Sequence, residues 1–399
     1  MKKLGFGTQC LLALLLGAIF GMTVPAQIVS WVAPLGAAFI QLLKMIILPL
    51  TFPLIVTSFA QIEDTAHIQR LGFRTLMWFI ITALIAASIG VGAALLLHPG
   101  AHFGGEAAQP LDSVPPFMQI LLNMLPGNLV SQAASGAIIP VIIFAVMFGI
   151  ALALVGKEAR PVREFFSAFS LVMFKITRWV IRLAPIGIFA LIAQVTMQYG
   201  LRGLLPFVSF ILTVYFGCFL QLCVYAILIM SIVRISPWRY FKAIWPCMLT
   251  AFTTSSSLGT LPVTMSTLTE RMGLPEQVVS FVTPLGATMK MDGCGAIYPA
   301  VVALFTAALF HIHLGWAQYA VIIITCAIAT IGTAGVPGTA SVMAMVVLSS
   351  VGLPFAGLAM VVGIDKVIDM VRTTVNVTGT ATCATLVAAH TNPQAICKR

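Results

Sequence analysis

Two apolar arms enclose a run of small hydroxyl residues in the segment AIWPCMLTAFTTSSSLGTLPVTMSTLTER, residues 243–271. Neither arm has the roughly 20 apolar residues that a membrane-spanning helix needs. Positive charge stands near both ends of the segment, at Lys242 and Arg271, which favours the same side of a membrane for both ends. The pattern therefore predicts a re-entrant helical hairpin with the serines at its tip.

The segments that follow extend this pattern. Residues 277–310 form an apolar run interrupted by KMDGCG (290–295), residues 317–352 repeat the hairpin with GTAGVPGTAS (332–341) between apolar arms, and residues 355–389 form a last run. A hairpin followed by an interrupted or charged helix thus occurs twice, which predicts inverted repeats. Paired interrupted helices are the strongest indication of a transporter binding site that a sequence carries.

The composition places the whole chain in a membrane. Of 399 residues, 60% are hydrophobic and 8% are charged, whereas an ordinary soluble domain is about half apolar and a quarter charged. The net charge of +10 comes from basic residues clustered in short segments between apolar runs, as orientation signals are. We therefore expect one integral membrane domain, and no nucleic-acid surface, cofactor or metal site.

Six apolar runs precede the first hairpin. They cover residues 4–24, 32–61, 75–97, 117–156, 165–197 and 203–233. Lys2 and Lys3 before the first run are also how a signal peptide begins, but residues 4–24 are long enough to span a bilayer and are predicted as the first span. With this end in the cytoplasm, the basic loops fall inside, and residues 98–116, which lack Lys and Arg, fall outside.

Charges inside membrane spans are costly, and each is a functional hypothesis. They are Lys44, Lys290, Asp292, Asp365, Lys366, Asp369 and Arg372, and all but the first lie in the last two spans. Asp365, Asp369, Arg372 and Asn376 are spaced so that they share one helix face. An arginine fork binds a carboxylate and a carboxylate accepts an ammonium, so the stripe suits an acidic amino acid. An internal ion pair without a ligand is the alternative.

Two further polar groups accompany this stripe. Ser255, Ser256 and Ser257 offer hydroxyl and backbone N–H groups to an anion, although a simple polar turn between two helices also accounts for them. Lys290 and Asp292 are two residues apart, and a regular helix would point them in different directions. We expect the neighbouring glycines to permit an unwinding that lets both face one site.

The motifs TTSSSLGTLPVTM (253–265), GATMKMDGCGA (286–296), GTAGVPGTAS (332–341) and DKVIDMVRTTVNVTG (365–379) together resemble the dicarboxylate/amino acid:cation symporter family, the glutamate transporter family. The resemblance implies an all-α homotrimer of the cell inner membrane, with eight transmembrane helices, two re-entrant hairpins and cytoplasmic termini. It also implies that residues 1–242 form mainly a scaffold, to which the third span and about 203–233 are exceptions. These two would join residues 243–399 in a moving transport domain.

The resemblance also implies roles for individual residues. Asp369 would bind the substrate α-amino group, Asn376 and the tip at Ser256 and Ser257 its α-carboxylate, and Arg372 a side-chain carboxylate. Cys294 and Thr373 are counted with them as substrate-binding. The tip that contains Gly335, Val336 and Gly338 would be the external gate.

The chain departs from the family pattern at its cation sites. Lys290 stands where the family has Asn, Cys294 where it has Thr, and Thr380 where it has Asp. In the third span, Phe79 and Ala83 replace hydroxyl-bearing residues and leave Thr82. Asn to Lys adds one positive charge and Asp to Thr removes one negative charge. The net charge of the site therefore shifts by +2, which equals the charge of two sodium ions. We therefore expect Lys290, Asp292, Thr82 and Thr380 to replace or alter the cation sites.

The sequence thus predicts a secondary active transporter that takes up glutamate or aspartate by an elevator-type alternating-access mechanism. Proton coupling or exchange is expected, with Lys290 paired with Asp292. The alternatives are a lysine that extends out of the site and ordinary sodium coupling, with a neutral amino acid or a C4-dicarboxylate as substrate. An intramembrane hydrolase that uses a serine and Lys290 lacks any oxyanion signature, and a channel is a second rival.

Overall fold

The computed structural model describes residues 6–60, 66–100, 125–135, 138–199, 205–331, 333 and 339–391. Within these ranges the regular structure is helical throughout. The first part of the chain forms helices α1 (Phe6–Thr23), α2 (Ala26–Ala60), α3 (Ala66–Leu97), α4 (Leu129–Ala134), α5 (Ile138–Val155), α6 (Arg160–Arg182), α7 (Ala184–Tyr199) and α8 (Leu205–Leu228).

The second part forms α9 (Pro237–Thr254), α10 (Ser257–Ser266), α11 (Glu276–Met289), α12 (Tyr298–Leu309), α13 (Trp316–Ile331), α14 (Thr339–Ser350), α15 (Ala356–Val361) and α16 (Asp365–Thr391). Wider π-helical turns extend α8 and α10 and precede α12; the last of these covers Asp292–Ile297. Such turns are frequent at functional sites.

Both predicted hairpins are helix pairs. Helices α9 and α10 pack against each other and are joined at Ser255, whose φ of 50° is left-handed. The chain reverses there because a helix cannot continue through that conformation. Helices α13 and α14 also pack together, and the tip with Gly335, Val336 and Gly338 lies outside the described residues.

Three predicted spans are interrupted. Residues 165–197 are two helices, α6 and α7, broken at Leu183, because Pro185 in the first turn of α7 has no N–H to continue the preceding helix. Residues 355–389 begin as α15 and a 3-10 turn, Val362–Ile364, before α16. The described part of 117–156 is also divided, into the short α4 and α5.

Four described stretches are long and apolar enough to cross a membrane. They are Leu71–Leu97, Pro140–Thr177, Pro206–Val233 and Glu276–Leu309. Shorter apolar helices, among them α13 and α14, lie beside them. Large apolar side chains such as Leu154, Val208 and Phe219 are exposed, as expected of a surface that faces lipid rather than water.

The helices pack in two groups. In one, α1 packs on α7, and α2 packs on α5, α6 and α7. In the other, α16 contacts α3, α8, α9 and α11, and the π-helical turn before α12 contacts α3, α13 and α16. The second group holds the described residues that the sequence assigned to the substrate and cation sites, which places the candidate site there, whereas Lys44 lies on α2 in the first group.

Candidate substrate and coupling site

The predicted break in the helix of residues 277–310 is present. Helix α11 ends at Met289, and Lys290 and Met291 have non-helical backbone angles before the π-helical turn begins. Gly293 in this turn lies against the backbone of α16, where an added Cβ would be 2.8 Å from Arg372 Cα. Only a residue without a side chain permits this approach.

Asn376 on α16 satisfies the unwound backbone. Its Oδ1 accepts hydrogen bonds from the N–H groups of Gly293 at 2.8 Å and Cys294 at 3.4 Å, and its Nδ2 donates to Cys294 Sγ at 3.1 Å. Backbone groups freed by a helix break at membrane depth need such partners. Asn376 therefore supports the break as well as standing on the predicted stripe.

Arg372 is fully buried on the same stripe. Its Nη2 donates to Asp365 Oδ1 at 2.6 Å and to Asp369 Oδ1 at 3.1 Å, and its guanidinium carbon lies 4.0 Å from the centre of the Tyr298 ring. Its Nε and Nη1 have no hydrogen-bond partner among the described residues. The internal ion pair that the sequence offers as the alternative is thus present, yet two guanidinium nitrogens remain for a carboxylate.

Two more predicted residues meet at Asp369. The hydroxyl of Thr373 donates to Asp369 Oδ1 at 3.5 Å, and the thiol of Cys294 donates to the same oxygen at 3.7 Å. The structure therefore brings Cys294, Asp369, Arg372, Thr373 and Asn376 together. Asp365, which the sequence did not count as a substrate ligand, is the nearer partner of Arg372.

The tip of the first hairpin, Ser255 to Ser257, lies beside the break, and the Ser256 hydroxyl bonds within its own segment. Ser256 caps α10, since its Oγ accepts the N–H of Gly259 at 3.0 Å. The buried Ser257 Oγ lies 3.9 Å from Met291 Sδ. Thr380 and Ser257 line one small cavity between α10, α11 and α16, and the Thr380 hydroxyl donates to the Asn376 carbonyl of its own helix at 3.1 Å.

A second polar cluster, called here the lysine cluster, consists of Lys290, Asp292, Gln221 and Tyr225. Lys290 and Asp292 are fully buried and form an ion pair. Tyr225 donates to Asp292 Oδ2 at 2.7 Å, Gln221 Nε2 donates to the same oxygen at 3.0 Å, and Lys290 Nζ donates to the Tyr225 hydroxyl at 3.3 Å. The expected pairing of Lys290 with Asp292 is confirmed, and the alternative in which Lys290 extends out of the site is wrong.

Sequence reasoning missed Gln221 and Tyr225. They stand one turn apart on α8, and a glutamine within the apolar run FLQLCVYAIL (219–228) was the available signal. Thr82 meets the cluster differently from expectation, since its hydroxyl donates to the Trp78 carbonyl at 2.8 Å while its own carbonyl faces Gln221 Nε2 at 3.4 Å. Hydroxyls of β-branched residues commonly bond to their own helix in this way.

The chain is similar to known proteins over nearly its whole length. The sodium:dicarboxylate symporter family matches residues 6–390. The chain belongs to this family. It is 35% identical over 397 residues to the proton/glutamate-aspartate symporter of Bacillus subtilis, which covers 97% of this chain and 95% of the relative.

Two other relatives are named for glutamate and aspartate and for C4-dicarboxylates, respectively. The proton/glutamate-aspartate symporter of Escherichia coli is 31% identical, over 97% of this chain and 94% of its own length. The C4-dicarboxylate transport protein of Anaeromyxobacter sp. is 32% identical, over 95% of this chain and 88% of its own length. Family and relatives identify an integral membrane transporter rather than an enzyme, which confirms the family resemblance of the motifs.

Proposed function

We propose that this protein is a secondary active transporter that imports glutamate or aspartate together with protons. The observation that carries the proposal is the buried Arg372, whose Nε and Nη1 have no partner among the described residues although Asp369 lies beside it. A buried guanidinium with free donors is costly unless a ligand completes it. A carboxylate is the group that its planar fork fits best.

Each end of an acidic amino acid finds a complementary group. Arg372 binds the side-chain carboxylate, Asp369 the α-ammonium, and Asn376 with the tip at Ser256 and Ser257 the α-carboxylate. Cys294 and Thr373 touch Asp369 and complete this wall. The names of the Bacillus subtilis and Escherichia coli relatives support the choice of substrate.

The lysine cluster supports coupling to protons rather than sodium. The ammonium group of Lys290 already neutralises the Asp292 carboxylate, so this carboxylate has a cation that belongs to the chain itself. A sodium ion placed beside Asp292 would also lie close to the Lys290 ammonium, and the two positive charges would repel each other. Lysine, unlike sodium, can release a proton within the site, which makes proton symport or substrate exchange the expected modes.

The elevator-type mechanism assigns the two helix groups different roles. The group of α1, α2 and α5 to α7 is the trimerisation scaffold within residues 1–242. Residues 243–399 move with the substrate, joined by α3 and α8, which pack against α16. The tip with Gly335, Val336 and Gly338 is the external gate of a homotrimer in the inner membrane, with both termini cytoplasmic.

A second candidate is a sodium-coupled carrier of a C4-dicarboxylate, supported by the name of the Anaeromyxobacter relative. Arg372 would serve such a substrate equally well. Asp369 distinguishes the two, since a second carboxylate would meet it unfavourably whereas an ammonium would not. Glutamate or aspartate is therefore preferred over succinate.

Uptake by purified protein in liposomes tests the proposal. Radiolabelled glutamate, aspartate, succinate and alanine are offered in sodium buffer, and in choline buffer with an imposed or collapsed pH gradient. We expect aspartate and glutamate to accumulate in choline when the outside is acidic, and to lose accumulation when a protonophore is added. Uptake that requires sodium at every pH gradient would overturn the proposed proton coupling. Recovery of chemically altered substrate from the liposomes would favour the hydrolase instead.

A further inference from the structure

Three donors from two different parts of the chain converge on a single oxygen of Asp292. Lys290 belongs to the break before α12, whereas Gln221 and Tyr225 belong to α8. All four side chains are fully buried. Asp292 Oδ1, by contrast, has no partner among the described residues, so the described hydrogen bonds to this carboxylate all reach Oδ2.

We infer that Tyr225 and Gln221 are positioning residues that set the pH at which Lys290 exchanges its proton during transport. This inference rests on the proposed proton coupling. Neither residue contacts Asp369 or Arg372 among the described hydrogen bonds. They act on the coupling group through Asp292 rather than on the substrate.

The physical reason lies in what remains when Lys290 loses its proton. Asp292 then keeps its negative charge without an ammonium beside it, in a site from which water is excluded. The hydroxyl of Tyr225 and the amide of Gln221 stabilise that carboxylate, because hydrogen bonds to a charged acceptor are stronger than neutral ones. Without them, the deprotonated state is less favourable, and a higher pH is needed to reach it.

Tyr225 also accepts a hydrogen bond from Lys290, which acts in the opposite direction. That contact is 3.3 Å long, whereas Tyr225 donates to Asp292 at 2.7 Å. The shorter contact to a full negative charge dominates, since hydrogen-bond strength falls with distance. Removal of either α8 donor should therefore shift the pH dependence of uptake in the same direction.

Among the described residues, few other groups that can titrate surround the pair. Cys383 of α16 lies near both Lys290 and Asp292, and Arg372 pairs with the carboxylates of its own helix on the other side of the break. Helices α12, α13 and α14, which also pack near the break, carry no charged residue. From α3 the Thr82 carbonyl faces Gln221, and it does not titrate.

The pair has little room to find other partners. A Cβ added at Gly379 of α16 would lie 3.0 Å from Lys290 Nζ and 2.9 Å from Tyr225 Cζ. Lys290 Nζ also lies 5.3 Å from the centre of the Tyr225 ring. Loss of the Tyr225 hydroxyl alone should therefore leave the packing of the cluster intact.

The test compares Tyr225→Phe and Gln221→Leu with Tyr240→Phe. Tyr240 is a matched control, because it is also fully buried and its hydroxyl forms a hydrogen bond of 2.9 Å with Thr382 on α16, outside the lysine cluster. The initial rate of aspartate uptake into liposomes is measured in choline buffer against external pH. We expect both cluster variants to shift the midpoint to higher pH by about one unit, with Tyr240→Phe unchanged and the KM for aspartate at acidic pH unchanged in all three.

The outcomes separate this inference from the proposed function. If wild-type uptake is proton-driven but both cluster variants keep the wild-type midpoint, the inference is wrong and the function stands. If wild-type uptake ignores pH, the proposed coupling itself is wrong. A shift that persists at full size in a Lys290→Asn background would also overturn the inference, and so would failure of Tyr225→Phe to fold, since the hydroxyl would then be structural.

Discussion

Asn376 Oδ1 lies 2.8 Å from the backbone nitrogen of Gly293 and accepts its hydrogen bond. This contact joins α16 to the broken helix at the point where the two polar clusters adjoin. Gly293 directly follows Asp292 of the lysine cluster, and Asn376 stands about one helical turn beyond Arg372. A ligand that displaces the Asn376 amide would therefore act directly on the segment that carries the coupling residues.

Replacement of Asn376 by alanine should destabilise the protein. Two buried N–H groups, of Gly293 and Cys294, would lose their acceptor, at a cost of about 1 to 3 kcal/mol for each unsatisfied group. Thermal unfolding in detergent measures the effect. Thr374→Val is the control, because its hydroxyl donates to the Met370 carbonyl of its own helix; equal melting temperatures for both variants would contradict the supporting role of Asn376.

Arg372→Ala should abolish uptake of glutamate and aspartate. Asp365 and Asp369 would be left without their cation, and breaking a buried pair costs about 3 to 5 kcal/mol of stability. The substrate carboxylate would also lose charge-assisted hydrogen bonds of about 1.5 to 3 kcal/mol, equivalent to about ten- to a hundredfold in affinity. Arg372→Lys keeps the charge without the fork and should transport weakly.

The control for Arg372 is Arg160→Ala. Arg160 pairs with Glu164 on α6, but both side chains are largely exposed, and such pairs contribute little to stability. Uptake by Arg160→Ala should match wild type. Transport of aspartate by Arg372→Ala with unchanged affinity would refute the assignment of the substrate site.

Gly293→Ala should impair both folding and uptake. The added methyl group would lie 2.8 Å from Arg372 Cα, closer than carbon atoms approach without strain, so α16 and the broken helix would have to separate. Overpacking of this kind costs about 1 to 3 kcal/mol. Gly92→Ala is the matched control, because a Cβ on that residue of α3 would meet no atom within 4 Å; equal activity of both variants would disprove the tight contact.

Asp292→Asn should be more harmful than the double variant Lys290→Met, Asp292→Asn. The single change leaves a buried ammonium without its carboxylate, whereas the double change removes both charges. A double-mutant cycle of unfolding free energies in detergent should give a coupling energy above about 1 kcal/mol. Additive effects of the two changes would show that the ion pair contributes no stability.

Local chemistry in the sequence was enough to predict much of this protein. Apolar runs interrupted by small polar residues predicted the helix pairs around residues 243–270 and 317–352 and the break at Lys290, because each pattern is contained in one continuous segment. Helical spacing alone put Asp369, Arg372 and Asn376 on one face. The same reasoning predicted continuous helices for residues 165–197 and 355–389, where the structure has breaks.

Only the tertiary structure decided which helix faces meet. Helical periodicity states which residues share a face, but not which other helix that face will contact. Gln221 and Tyr225 are about 70 residues before Asp292, and their convergence on it depends on how α8 packs against the break. The pairing of Asp365 with Arg372, and the use of the Asn376 amide to hold the unwound backbone, were decided in the same way, because a buried polar group takes its partners from whatever the packing brings within hydrogen-bond distance.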